Sequence, residues 1–234
     1  MQTLQPQPQS PFSVAIDGPS GAGKSTLARR VAEAFGFLYV DTGALYRALG
    51  LLALRQGVDP TDSSGMEELL KHAKVTFDQG ANGQRVYLNG EDVTEEIRAH
   101  EVSRAASDAS ALPAVRAFLL ETQRAAARAQ NVIMDGRDIG TVVLPDAGLK
   151  IFLTATPEDR ARRRLEELLA RGVDISYETV YRDLLTRDQN DATRTHAPLR
   201  SAADAVVLDT TGNTFEQSLC LLLDLVKGKY PDVL

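Results

Sequence analysis

The residues Gly18-Pro19-Ser20-Gly21-Ala22-Gly23-Lys24-Ser25 fit the pattern G-x-x-x-x-G-K-[ST], and Thr26 follows them. A glycine-rich loop of this spacing turns successive backbone N–H groups toward phosphate oxygens, and the helix N-terminus behind it adds its dipole. Lys24 would neutralise phosphate charge, and the Ser25 hydroxyl would hold Mg²⁺. A glycine turn with no ligand is the plain alternative. The β-rich run before the loop and the helical pattern after it favour phosphate. The segment does not say whether a bound triphosphate donates a phosphoryl group or works a switch.

Other segments bear on that question. A GTPase of the translational type would carry a base-reading N/T-K-x-D segment, and the chain has none. Val132-Ile133-Met134-Asp135 reads as a buried strand ending in a carboxylate; Asp135 either holds a magnesium-bound water or is structural. Its continuation, Gly136-Arg137-Asp138, sets a guanidinium and a second carboxylate just past the strand end, where a second, anionic molecule would be recognised. Asp41, Thr42 and Arg47 do the same from another strand end, although Asp41-Thr42 alone could simply cap a helix. Arg187, Asp191 and Arg194 recur at i, i+4 and i+7 and so share one helix face. On spacing alone that is an exposed ion-pair stripe of little energetic weight. The stretch from Glu158 to Arg200 holds nine arginines and nine acids, so Arg160, Arg162, Arg163 and Arg164 belong to a mixed-charge region rather than a basic tail. Phosphoryl transfer uses guanidiniums on such helices.

The elements that must position these groups follow from hydropathy patterning. Phe12–Ile16 predicts a strand, and KSTLARRVAEAFG a helix with Leu27, Val31 and Phe35 at helical spacing and Gly36 as its stop. Phe37–Val40 predicts a second strand, 44–57 a helix closed by Gly57, and 132–134, 149–155 and 205–209 three further strands. Five short apolar strands separated by helical patterns predict a doubly wound parallel α/β sheet with ligands at the strand carboxyl ends. Between Val75 and Val93 two Asn-Gly pairs, at 82–83 and 89–90, flank an alternating segment, which predicts a small antiparallel three-stranded insert. Helices at Glu95–Ser110 and Pro113–Arg128 return the chain to the sheet. Thr156-Pro157 with Asp159 reads as a helix start, that helix ends at Gly172, and another runs from Ser176 to about Arg194. Phe215–Lys227 predicts an amphipathic C-terminal helix in which the single cysteine, Cys220, is expected to be buried.

Composition narrows the class. The chain has 234 residues, 43% hydrophobic and 25% charged, enough for a sizeable core. A formal net charge of −6 argues against general electrostatic binding of nucleic acid. One cysteine excludes a disulfide framework and fits a reducing cytoplasm. Residues 1–11, rich in Gln and Pro, are expected to form a disordered tail. No apolar run reaches the ~20 residues that span a bilayer.

Taken together, IDGPSGAGKS, DTGALYR, LNGEDVTEEIR, MDGRD, PDAGLKIFLTA and RDQNDATR occur in an order that resembles the bacterial cytidylate kinases, a branch of the nucleoside monophosphate kinases. The resemblance runs from Val14 to the C-terminal helix. It implies a P-loop NTPase-like fold: a doubly wound five-stranded parallel sheet with a small antiparallel β insert and a helical lid. Residues 12–234 would be one kinase domain, with an acceptor-binding insert at about 42–130 (its meander about 74–94) and a lid at about 157–196. The implied reaction moves the γ-phosphoryl group of ATP to CMP or dCMP with Mg²⁺, in a cytoplasmic monomer with no nucleic-acid or membrane partner. A kinase accepting UMP as well, and a nucleotide-operated switch, are the competing readings.

The resemblance also assigns roles. The acceptor phosphate falls to Arg47, Arg137 and Arg194 with the Thr42 hydroxyl, the cytosine to Ser107, Arg116 and Asp138, and the sugar to Arg187 and Asp191. Lys24, with Arg160 and Arg164 from the lid, would stabilise the transferring group. The family often has Ser where this chain has Thr42, which keeps the hydroxyl, and a more basic segment before Arg194.

Overall fold

A computed structural model describes residues 11–80 and 83–231. Five parallel strands form the central sheet: β1 (Ser13–Asp17), β2 (Leu38–Asp41), β6 (Val132–Gly136), β7 (Leu149–Thr154) and β8 (Val206–Asp209), in the order β2-β6-β1-β7-β8. The order reverses at β1, so its carboxyl end opens a crevice between β6 and β7. The phosphate-loop motif begins at that point. The apolar runs of β1, β6 and most of β7, which showed no alternation in sequence, are buried on both faces, whereas the edge strand β8 leaves Val206 and Val207 exposed.

Each helix is set by local chemistry. α1 (Lys24–Phe35) starts after Gly23 at φ 85° and stops at Gly36 at φ 65°. α2 (Thr42–Gln56) is capped by Asp41, whose carboxylate accepts from Ala44 N. The sequence reading missed α3 (Ser63–Leu70), a two-turn helix capped by Asp62 with Met66 as its one buried residue, too short for a periodic signal. Strands β3 (Val75–Gly80), β4 (Gly83–Leu88) and β5 (Glu91–Asp92) form the antiparallel insert. Asn89 at φ 53° and Gly90 at φ 88° make the tight turn between β4 and β5; Asn82 of the other pair lies outside the described residues. The expected helix at 95–110 is instead a 3₁₀ turn, Glu96–Arg98, broken at extended Ala99, and then α4 (His100–Ala109). α5 is Pro113–Ala129.

The insert is joined to the sheet through two side-chain amides. β2 is an edge strand, and Gln79 Nε2 donates to Tyr39 O at 2.7 Å. Gln84 accepts from Asp41 N at 2.8 Å and donates to Asp41 O at 3.2 Å. Amide side chains thus pair edge groups that a sixth strand would otherwise take.

Past β6 the chain forms a π-helical turn, Ile139–Val143. α6 (Pro157–Ala170) and α7 (Tyr177–Thr193) make a helical hairpin with a small apolar cluster of its own, Ala161, Leu168, Val180 and Leu184. α8 (Phe215–Lys229) packs on the face that carries α1. Its inward row is Ser218, Leu222 and Val226, four residues apart, so Cys220 falls on the outer side. The expected buried cysteine is therefore exposed. The predicted tail at residues 1–11 lies outside the described residues apart from Pro11. No helix among the described residues is long and apolar enough to cross a membrane.

Candidate active site

The phosphate loop is shaped by contacts only glycine permits. A Cβ on Gly18, at φ 152°, would sit 2.0 Å from Leu153 O, and one on Gly21 2.9 Å from Arg160 O. The loop is pressed between the end of β7 and the start of α6. No acidic side chain stands in the first turn of α1 and no side chain caps it, which leaves its amides and dipole for an anion. Lys24 is 6% exposed and donates to Pro19 O at 2.7 Å, folded over the loop that would hold its ligand. Burial, with Arg137 nearby, pushes its ammonium down to about 7.

Facing the loop, Asp135 is buried at the end of β6. Ser25 Oγ donates to its Oδ2 at 2.9 Å and Tyr39 Oη to its Oδ1 at 2.8 Å. Burial and the neighbouring Asp41 push the carboxyl up to about 6, against the pull of Lys24. Thr42 Oγ1 donates to the Asp135 carbonyl at 2.7 Å, so its hydroxyl is already engaged.

Beyond Asp135 lies a wall of interlocked charges. Arg47 pairs with Asp41 at 2.8 Å, and Arg137 Nε donates to Asp191 at 2.7 Å. Arg116 pairs with Asp138, and its guanidinium also lies 5.7 Å from the Tyr46 ring centroid. Burial works against the Arg137 charge, and the carboxylates around it, Asp191 foremost with Asp135 and Asp188, together outweigh it. Asp191 is held below the usual carboxylate range because Arg137 and Arg187 overcome the effect of its burial. Arg187 has no such match: burial and Arg137 push it down to about 10. Among the described residues, Arg47 Nε, Arg187 Nε and Arg194 Nη2 are buried without a hydrogen-bond partner. Native interiors rarely leave such donors unmet, so three guanidiniums around one cleft call for an anion.

The cleft has a volume of about 300 Å³ and is lined by ten basic and five acidic side chains, in a chain whose net charge is −6. Of the residues expected from sequence, Ser20, Gly21, Gly23, Lys24, Ser25 and Thr26 line it on the donor side. Thr42, Arg47, Ser107, Arg116, Arg137, Asp138, Arg187, Asp191 and Arg194 line it on the other. Gly18 and Pro19 shape the loop, and the Ala22 side chain points into the core. A second cavity of about 330 Å³ between α4 and the α6–α7 hairpin shares Ser20, Ser103, Ser107, Arg164 and Arg187 with it.

Arg160 departs from expectation. It is 4% exposed, donates to Ser20 O and Ala155 O at 3.0 Å each, and pairs with Asp188 at 2.7 Å. It therefore sits behind the loop as a tether and does not line the cleft, whereas Arg164 does. Arg163, named in sequence only as part of a run, donates to Thr210 O at 2.7 Å and Thr210 Oγ1 at 3.1 Å. Sequence reasoning also missed Tyr39, Tyr46 and Asp17. Each was hidden in an apolar run as an ordinary core residue or strand end.

A family model described as Cytidylate kinase matches residues 14–228. The chain belongs to the cytidylate kinase family. A cytidylate kinase from Carboxydothermus hydrogenoformans is 50% identical over 221 residues, covering 94% of this chain and 99% of that relative. One from Pelotomaculum thermopropionicum is 51% identical over 217 residues (92% and 96%), and one from Bacillus velezensis is 46% identical over 218 (93% and 97%). A crystal structure of an uncharacterized protein from Eubacterium ventriosum shares the fold at TM-score 0.51 and 12% identity, covering 93% of this chain and 98% of that one. In this chain the glycine-rich loop faces the wall of guanidiniums across one crevice.

Proposed function

We propose that this chain transfers the γ-phosphoryl group of ATP to CMP or dCMP, giving ADP and CDP or dCDP. The supporting observation is that one guanidinium nitrogen on each of Arg47 (Nε), Arg187 (Nε) and Arg194 (Nη2), all lining the cleft opposite the phosphate loop, is buried without a hydrogen-bond partner. The acceptor phosphate, with a second pKa near ~6, is largely a dianion at neutral pH, so no general base is needed. An acceptor phosphate oxygen forms the new bond to the γ-phosphorus as the bond to the bridging oxygen of ADP breaks, and that oxygen leaves with the electron pair. Arg47, Arg137 and Arg194 orient the acceptor phosphate. Lys24 and the α1 amides hold the donor phosphates, and Arg164 approaches from the lid. Catalysis of this kind is positioning plus charge stabilisation.

In the free protein Asp138 is paired with Arg116. In the proposed complex its carboxylate accepts from the exocyclic amine of cytosine, and Arg116 donates to the ring side. Uracil presents a carbonyl and an N–H at those positions and would leave buried groups mismatched. The α6–α7 hairpin, with its separate small core, is the natural lid, and the segment from α2 to α5 the acceptor-binding insert.

Ser25 Oγ and the Asp135 carboxylate, 2.9 Å apart, are an all-oxygen pair suited to Mg²⁺, and no fuller cage of His, Cys, Asp or Glu gathers among the described residues. Magnesium is usually held by one or two protein oxygens with substrate phosphates and water completing its shell. When bound it would supply charge neutralisation at the β- and γ-phosphates.

A coupled ADP-release assay with CMP, dCMP, UMP, AMP or no acceptor tests the proposal. Turnover should require CMP or dCMP. Equal turnover without acceptor would identify a switch ATPase, and equal use of UMP would remove the base-reading roles.

A further inference from the structure

The π-helical turn at Ile139–Val143 is gripped at both ends by side chains that take no direct part in the reaction proposed above. At its start, the Asp17 carboxylate accepts from Ile139 N and from Gly140 N, each at 2.7 Å. At its end, Arg124 donates to Val143 O at 3.0 Å and Val142 O at 2.9 Å. Asp17 is 4% exposed, and it immediately precedes Gly18, the first residue of the phosphate loop. Arg124 lies on α5, the helix that carries Arg116. The turn follows directly on Arg137-Asp138. Asp138 itself has φ −147° and ψ 26°, an extended-to-bridge conformation that its own side chain does nothing to hold.

We infer that Asp17 is a positioning residue for acceptor recognition, fixing the Arg137-Asp138 backbone against the root of the phosphate loop, with Arg124 as the second clamp. The geometry makes this a rigid link. On the β7 side Gly18 is wedged against Leu153 O, where any Cβ would stand 2.0 Å away. On the β6 side the two carboxylate oxygens take the first two free amides of the turn, groups that would otherwise be buried unmet. An ionised acceptor bonded to two amides is stronger and more directional than a neutral one. Gly140 fits closely beneath, where a Cβ would be 3.2 Å from the Lys150 side chain and 3.4 Å from Asp17 Oδ2. Burial pushes the Asp17 carboxyl up to about 6, against the two amide hydrogen bonds, with Asp138 adding to the rise and Lys24 opposing it. A buried carboxylate is a costly way to end a strand. The structure retains it where it joins the donor site to the residue that would read the acceptor base.

The inference rests on the proposed role of Asp138, so its test needs one readout that does not. Asp17→Asn keeps one oxygen but turns an NH₂ group toward a backbone N–H. In the unliganded variant, hydrogen exchange at the Ile139 and Gly140 amides should quicken by about tenfold or more, the loss expected for one charged hydrogen bond. In the assay, the CMP KM should rise by about tenfold or more and the preference for CMP over UMP should fall by a similar factor, with the ATP KM within about twofold of wild type. Arg124→Met should give the same pattern with smaller changes, and it decides the matter should Asp17→Asn not fold. An equal rise in both KM values, or an unchanged CMP KM and CMP:UMP ratio in whichever variants fold, overturns the inference. A wild-type enzyme that ignored CMP would instead remove the acceptor assignment and leave the exchange result standing.

Discussion

The donor and acceptor walls of the cleft meet at Asp135 but are made of different material. The donor wall is backbone: glycine-dependent turns at Gly18, Gly21 and Gly23, open amides at the start of α1, and one lysine. Its side-chain supports, Arg160 and Arg163, act from behind on carbonyls of Ser20 and Thr210. The acceptor wall is side chain: Arg47, Arg116, Arg137, Arg187 and Arg194 balanced against Asp41, Asp138 and Asp191, drawn from three helices and two strand ends. A wall made of backbone should be broken by geometry, and a wall made of side-chain charges by charge.

That contrast is tested most severely at Lys24, the charged side chain that folds over the donor loop. Lys24→Ala should lower kcat by about 10² to 10³-fold, the scale of losing one preorganised charge at a developing anion. CMP affinity, measured by calorimetry, should stay within about threefold. A variant that lost CMP binding equally would show that the walls are not separable.

On the acceptor wall the matching change is Asp138→Ala. It removes the partner of Arg116 and one of the two carboxylates that lie 3.8 Å from Arg194, the other being Asp191. The CMP KM should rise by about 10 to 100-fold, from the loss of about 1–3 kcal/mol of base discrimination, and the ATP KM should hardly move. Equal effects on both substrates would place Asp138 in the general scaffold.

The two walls were also unequally legible in sequence. The donor loop occupies nine consecutive residues, Gly18 to Thr26, and local spacing carries its chemistry. The sheet was legible for the same reason: each strand is one apolar run bounded by turn residues, and the five strands fall within a residue or two of their expected places. The acceptor wall spans Asp41 to Arg194, so its grouping depends on long-range contacts that spacing cannot express. Arg187, Asp191 and Arg194 show the limit. Their periodicity fixed a helix face, yet said nothing of burial, and only the resemblance took them off an exposed stripe. The Arg187 and Arg194 groups are in fact largely enclosed, and Asp191 is 5% exposed. Arg160 failed in the opposite direction, because its reach back to Ser20 O is set by where α6 meets the loop.

A smaller effect follows from the charge imbalance. With five arginines set against three aspartates, the acceptor wall carries surplus positive charge, and an anion should relieve the repulsion. CMP at about 100 times its Kd should stabilise the fold by about 2.7 kcal/mol, and raise Tm by several degrees. Phosphate or sulfate should do part of this at ionic strengths where chloride does not. The Arg187→Gln variant, lacking a charge already strained by burial, should gain less from phosphate. If chloride matched sulfate at equal ionic strength, general screening would account for the effect.

The finest distinction is a proton. Lys24 sits at about 7 in the free protein because burial and Arg137 disfavour its charge. At alkaline pH part of it is therefore neutral, and bound polyphosphate, an opposite charge at contact distance, should pull it back to the ammonium form. ATP binding should then take up protons at pH 8, and the uptake should shrink as the pH falls and the amine is already charged beforehand. The acceptor wall should behave differently. Its guanidiniums stay charged at pH 8, Arg187 at about 10 included, so CMP has no proton to recruit there. Titrating each nucleotide by calorimetry in two buffers of different ionisation enthalpy separates the walls: the apparent enthalpy of ATP binding should depend on the buffer at pH 8 and that of CMP should not. Lys24→Met should abolish the dependence. Buffer-independent ATP binding at pH 8 would mean that Lys24 enters the complex already charged, and that its fold over Pro19 does not strip it of its proton.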